Sequence, residues 1–540
     1  MKLGKHLPLL LILTLATLLR LWHLDQLPPS LNWDEVSHGF NAYSILKTGR
    51  DEWGTTLPLI FRAYGDFKLP LYIYLSTIPV FLFGLNPFSV RLLSVLSGLG
   101  LVLVAYLLGK NLGKNRQTGY LSALLTAISP WPLFLSRVAV EANLAAFLFS
   151  LGAYFTIIAL KKDQKKPLFL AFFLWGLSLH TYNSARILVP ISLLFLFLLF
   201  LKQKKLKNFF TASFLILIFS LPIFFQLFNK SASARFSWVT LVDQGAINEI
   251  IEDRQSSSLP APISRLIYNR PSYFLSHSAK NYFLHFSPSF LFKGGGSHYQ
   301  FSLPGFGLLY LITAPFILWG TYFLLKQKQF PPLFFVAIAF LPSAITRDSP
   351  HVLRSLLVLP WPLVLSALGV SRCQLFLKRN SRLGGRLFLF TFLASLLISF
   401  SLWWRAYQKD YSFNYSWAWQ YGYKEAIDYV KENYQDYDRV VFTKKYGEPH
   451  EFILFNWPWD PQAYQTDPAK VWDYHSQWYW VDAFDKFEFL NDWELKEKLS
   501  PQSEEKLLLV TSPGNWPQGG ELLETVNLLD HSPVFEILKY

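Results

Sequence analysis

Apolar runs long enough to cross a bilayer recur through the first 400 residues of this 540-residue chain. A run of roughly 18 or more apolar residues reads as a membrane-spanning helix, because only there does one segment satisfy all its own backbone groups inside lipid. Most of the chain is therefore a helical bundle, and only the loops and the tail can carry aqueous chemistry. The first run, within Met1–Leu24, follows Lys2 and Lys5 as a secretory signal would. No small-residue cleavage site ends it, so it is expected to stay as the first span. A single cysteine, Cys373, excludes an internal disulfide framework and a cysteine-rich metal site.

The formal charge of +14 conceals a division. Residues 405–540 carry 23 acids against 13 Lys and Arg, a net of −10, which leaves +24 on residues 1–404. A basic chain invites a nucleic-acid reading, but these bases stand in short loops between apolar runs. Lys2 and Lys5, Lys110 to Arg116, "KKDQKK" (161–166), "KQKKLK" (202–207), "KQK" (326–328) and Arg372 to Arg386 together hold 20 bases. The alternate turns hold four, Arg137, Arg186, Arg347 and Arg354. The positive-inside rule puts the rich set in the cytoplasm and the poor set outside. Counting 69–85 as a span would break that alternation. Its Pro70, Pro79 and Gly84 suit an interfacial or re-entrant helix instead. The expectation is an α-helical polytopic membrane protein of about eleven spans: 7–24, 89–109, 117–135, 142–160, 167–180, 187–201, 208–228, 304–325, 330–346, 352–370 and 387–404. The N-terminus is then cytoplasmic.

Two outer loops are long, 25–88 and 229–303; the second carries the turn sequences "QSSSLPAP" and "KGGGSH". The division expected is a membrane domain over 1–404 and a small extracytoplasmic α/β domain over 405–540. In the latter an amphipathic helix, 423–435, alternates with strands such as "RVVFT" (439–443) and "KLLLVTS" (506–512).

This topology gathers ionisable groups at one surface. They are Asp34, Glu35, His38, Asp66 and Lys68, then Arg137 and Glu141, then His180, Tyr182 and Arg186, then His285, His298, Arg347, Asp348, His351 and Arg354. Charges held at a lipid boundary are costly and are candidates for function. Each has a structural alternative. The arginines could snorkel to head groups, and the histidines could be satisfied core residues. Asp34 could cap the helix "DEVSHGFNAYSILKTG", with Gly49 as its stop. Capping accounts for one acid and leaves its neighbour unexplained.

The ordered set "WDEVSHGFNAYSILKTG" (33–49), "GDFKLPLYIYL" (65–75), "FGLNPFSVRLLS" (83–94) and "SPWPLFLSRVAVEAN" (129–143) resembles the GT-C membrane glycosyltransferases. Within them it is similar to the dolichyl-phosphate-mannose protein mannosyltransferases and the bacterial aminoarabinose transferases of lipid A. "YFLHFSPSFLF" (282–292) and "SPHVLRSLLVLP" (349–360) look like later segments of bacterial members. The resemblance implies that the acidic pair after the first span lies at an outer active site. It also implies that Lys68 binds the donor phosphate, and that Glu141 matches a second-loop acid. No repeat domain of the eukaryotic enzymes is present, and the acidic tail matches nothing tied to lipid A.

The implied reaction moves a sugar from a polyprenyl phosphate to an acceptor hydroxyl on a protein, lipid or glycan. Asp34 is expected as general base, with Glu35 or Glu141 orienting acceptor or sugar. Lys68 leads the cations expected at the leaving phosphate, with Arg137, Arg347 and Arg354 behind it. His38, Tyr182, Arg186, His285, His298 and His351 complete a candidate substrate-binding set. Single displacement inverts the anomeric centre. No Asp-x-Asp motif stands in the outer loops, so neither a cofactor nor a catalytic metal is expected. The rivals are a transporter or flippase, which would place charge near the midplane on broken helices, and a non-catalytic scaffold, which leaves the acidic pair and Lys68 idle.

Overall fold

The computed structural model describes residues 6–65, 67–162, 164–204, 206–226, 239–476, 478–499 and 505–540. Asp66 lies outside the described residues. Two compact units share the chain. One comprises Met1–Arg20, Val95–Ser136 and Glu141–Trp403, the other Leu21–Ser94, Arg137–Val140 and Trp404–Tyr540.

The first unit is helical. Among the described residues, six helices are long and apolar enough to cross a membrane: Pro87–Gly113, Glu141–Lys161, Asn183–Lys202, Leu206–Gln226, Leu356–Asn380 and Arg382–Trp419. These correspond to six of the eleven expected spans. The other five are shorter or broken. Helix α1 covers only Leu7–Leu21. The 117–135 stretch divides into Arg116–Ile128 and Pro130–Leu135, because a residue before proline is pushed out of the helical region; Ser129 accordingly has ψ 145°. The buried Arg20 guanidinium donates to the Ala127 and Thr126 carbonyls at this break. Helix–helix approach depends on small residues. The facing carbonyls of Leu365 and Phe316 would collide with a Cβ at Gly320 or Gly369, so the Ala314–Lys326 and Trp361–Asn380 helices pack backbone to backbone.

The second unit contains a seven-stranded mixed sheet and the segment that follows α1. That segment forms α2 (Trp33–Thr48), a short hairpin of β1 (Phe61–Arg62) and β2 (Phe67–Lys68), and α3 (Pro70–Phe83). The sheet contains β3 (Arg439–Thr443), β4 (Val471–His475), β5 (Trp478–Phe484), β6 (Phe487–Leu490), β7 (Leu507–Thr511), β8 (Glu521–Asn527) and β9 (Pro533–Lys539). Their order is β4-β5-β6-β3-β7-β9-β8, with β3 parallel to both neighbours. Leu495, Leu509 and Leu538 centre its core. The expected helix at 423–435 is Tyr423–Asn433, and the two expected strands are β3 and β7.

Residues 21–94, which the expected division at 404/405 puts with the membrane domain, cluster with the tail in this unit. The cause is aromatic burial. Arg62 lies over Trp53, Trp472 and Tyr479 at 4.9, 5.3 and 4.8 Å, and Tyr64 stacks on Trp478 at 5.7 Å. Helix α3, with 14 residues, rises about 21 Å, short of a hydrocarbon core of about 30 Å.

Candidate active site

Two adjacent acids on α2 have opposite surroundings, and the helix start explains why. Asn32 is the N-cap: its side chain accepts from the Glu35 amide at 3.0 Å, and Glu35 Oε2 accepts from the Asn32 amide at 3.2 Å. This capping box satisfies two of the amides a helix start leaves open. Asp34 is therefore not the cap. Successive helical side chains point about 100° apart, so fixing Glu35 inward turns Asp34 away from it.

Glu35 is fully buried and saturated. Arg91 donates to it twice, Nε to Oε1 at 2.9 Å and an Nη to Oε2 at 3.1 Å, and the Ala139 amide donates to Oε1 at 2.8 Å. The same guanidinium donates to the carbonyls of Leu24, Pro28 and Ser30. The sequence reading has Glu35 orient acceptor or sugar; in the structure its oxygens accept from Asn32, Arg91 and Ala139. Arg91 was not among the sequence candidates. A lone arginine early in an apolar helix was its signal, because such a charge needs a partner.

Asp34 remains open. Its side chain is 40% exposed, and Oδ1 accepts from Lys68 Nζ at 2.5 Å. The hairpin delivers Lys68, which sits at the end of β2 just before Pro70 begins α3. Tyr64 Oη donates to the Trp33 carbonyl at 2.7 Å, and Tyr64 accepts from the Tyr479 amide at 2.7 Å, so hairpin, helix start and sheet hold one another. Ala42, Phe61, Ile73 and Val80 pack beneath α2 and α3.

Other sequence candidates go elsewhere. Arg137, buried, donates to the carbonyls of Trp22 and Leu27 at 2.6 and 2.9 Å and to Tyr407 Oη at 3.1 Å. The sequence reading expects Arg137 among the cations at the leaving phosphate; these bonds go to backbone carbonyls and a tyrosine hydroxyl. His38 packs on Tyr72 and bonds the Ala139 carbonyl at 3.3 Å. His285 lies between Phe290 and Phe340, and burial pushes its pKa down to about 4. Both histidines, expected in the substrate-binding set, are fully buried against aromatic rings. His298 and His351 share Phe301 as a ring neighbour. Glu141 heads its helix in the helical unit. Tyr182, Arg186 and Arg354 line one cavity of about 390 Å³ in that unit. Arg354 there donates to Thr346 Oγ1 and the Arg347 carbonyl, while Arg347 is half-exposed, 3.9 Å from Asp348.

One group among the described residues could hold a metal ion: Glu52, His450 and Glu451, all buried. Burial raises the pKa of both glutamates and lowers that of His450. Sequence reading missed it because its members lie about 400 residues apart.

Residues 68–226 match the family model described as dolichyl-phosphate-mannose-protein mannosyltransferase. ArnT from Cupriavidus metallidurans bound to undecaprenyl phosphate aligns over 100% of this chain and 98% of its own, with a TM-score of 0.57 and 12% identity. This is the GT-C fold. Apo ArnT from the same organism gives 0.56, at 11% identity over 99% and 98% of the two chains. The archaeal oligosaccharyltransferase AglB from Archaeoglobus fulgidus, in complex with an inhibitory peptide and a dolichol-phosphate, gives 0.51 at 16% identity. That alignment takes in 84% of this chain and 64% of AglB, so the chain spans under two thirds of that relative. No curated protein matches the sequence.

Proposed function

We propose that this chain is an inverting glycosyltransferase that moves a sugar from a polyprenyl-phosphate donor to an acceptor hydroxyl at the outer membrane face. The observation that carries the reading is the Asp34–Lys68 pair: an accessible carboxylate against an ammonium, beside a second acid wholly consumed by structure. In the proposed step the acceptor O–H gives its proton to Asp34, and the oxygen forms a bond to the anomeric carbon. The bond from that carbon to the phosphate oxygen breaks, and the departing polyprenyl phosphate keeps the electron pair. Lys68 stabilises that growing negative charge. No metal takes part in this step.

The donor class is supported by the undecaprenyl phosphate and dolichol-phosphate in the ArnT and AglB structures. The acceptor is a protein, lipid or glycan of the cell envelope. The orientation proposed has the N-terminus and the base-rich loops in the cytoplasm, and the sheet-bearing domain outside the cytoplasmic membrane. In this reading the cavity of Tyr182, Arg186 and Arg354 holds substrate in the helical unit. The test uses purified full-length protein in nanodiscs with labelled polyprenyl-phosphate sugars and an envelope extract. Label should move to an acceptor with inverted anomeric configuration. Vectorial movement of intact donor across sealed liposomes, with no bond cleavage, would establish the flippase instead.

A further inference from the structure

Behind α2 lies a cluster that the transfer reaction does not use. Glu52 follows the end of α2, and His450 and Glu451 lie in the first turn of the Pro449–Asn456 helix. Each offers a ligand atom, and the three atoms lie within 4.8 Å of one another. All three side chains are at most 2% exposed. Asn41 donates to Glu52 Oε1 at 3.1 Å. That leaves Glu52 Oε2, Glu451 Oε2 and His450 Nδ1 buried without a hydrogen-bond partner.

Buried carboxylates need a countercharge. Among the described residues, neither Glu52 nor Glu451 forms an ion pair with Lys or Arg. The neighbouring Lys470 donates instead to the Glu52 backbone carbonyl at 3.5 Å and lies over Tyr464. Lys444 pairs with Asp482. A proton shared between the two glutamates would cancel one charge and leave the other buried, and it would still leave the imidazole nitrogen without a partner. A divalent cation takes all three groups. We propose that Glu52, His450 and Glu451 form a divalent-metal site that fastens the end of α2 to the sheet-bearing part of the same unit. One imidazole with two carboxylates suits Zn²⁺ or Mn²⁺ better than Mg²⁺, which demands oxygen ligands and keeps its water. Glu448, whose Oε2 is 3.6 Å from His450 Nδ1, flanks the set and accepts from the Trp478 indole. The ion's role is structural, and the site stands whether or not the chain transfers sugar.

The experiment counts metal directly. Full-length protein, purified through a tag without histidines, is loaded with ZnCl2 or MnCl2, desalted and measured by inductively coupled plasma mass spectrometry. Tryptophan fluorescence follows its thermal unfolding. The wild type should hold about one ion per chain and melt higher with metal than after chelation. His450→Gln and Glu451→Gln should each hold at least tenfold less and lose that response. The two variants separate the readings, since either leaves a proton-sharing or amide–carboxylate pair able to form. If a variant fails to fold, the wild-type count and its metal-dependent melting still decide. Overturning results are a wild type that retains no stoichiometric Zn²⁺ or Mn²⁺ and melts independently of both, or full metal retention in both variants.

Discussion

Exchanging each of the two adjacent acids for its amide should separate chemistry from architecture one residue at a time. Asp34→Asn removes a partly exposed ion pair with Lys68. Pairs at that exposure contribute about 0–1 kcal/mol, so the variant should melt close to wild type. Loss of a positioned general base costs roughly 100-fold to 10,000-fold in rate, so turnover should collapse. Glu35→Gln presents the reverse case. It strips the charge facing a fully buried Arg91 and sets an NH2 group where Asn32, Ala139 and Arg91 all donate. Breaking a buried pair from one side costs about 3–5 kcal/mol. That is a large share of a typical 5–15 kcal/mol stability. Thermal unfolding and single-turnover transfer in nanodiscs measure both variants side by side. The reasoning fails if Glu35→Gln melts like wild type while losing turnover, or if Asp34→Asn unfolds as readily as Glu35→Gln.

Lys68→Ala should lose donor affinity and turnover, and Lys68→Arg should keep a part of both; kinetics unchanged by alanine would remove Lys68 from the site. Gly39→Ala should destabilise by about 1–3 kcal/mol, because the new Cβ would lie 2.5 Å from the Phe455 ring and 2.7 Å from Val90; wild-type melting would contradict that packing. In a Cys373→Ser background, single cysteines at the exposed positions Leu57 and Lys424 should label from outside. Cysteines at Lys114, Gln164 and Lys204 should label from inside. Outside labelling at Lys114 would make α3 a true span.

The helix α2 was legible from its ends: Gly49 adopts φ +71° and its amide closes on the Ile45 carbonyl. Periodicity likewise located β3, β7 and the Tyr423–Asn433 helix, whose patterns are local. What escaped was long-range. Which of "DE" turns inward depends on Arg91, 56 residues away, and on an amide at Ala139. A cap at Asp34 was plausible because sequence cannot rank Asn32 against it two residues on. The aromatic stretch of β4 and β5 has no fate of its own until Arg62 and Tyr64 arrive to cover it.

Because Lys68 already holds Asp34 at 2.5 Å, the carboxylate is a tethered rival of any phosphate that approaches that ammonium. Transfer leaves a phosphate carrying more negative charge than the donor had, and such a product tends to linger. In the proposed reaction Asp34, once it has released the acceptor's proton, would reclaim the lysine and push the spent carrier out, so that the group which opens a cycle would also clear the site for the next. Polyprenyl phosphate should therefore inhibit competitively against donor, and Asp34→Asn should bind it more tightly than wild type in an equilibrium assay. Equal or weaker binding by that variant would mean that the departing lipid owes its release to something other than this carboxylate.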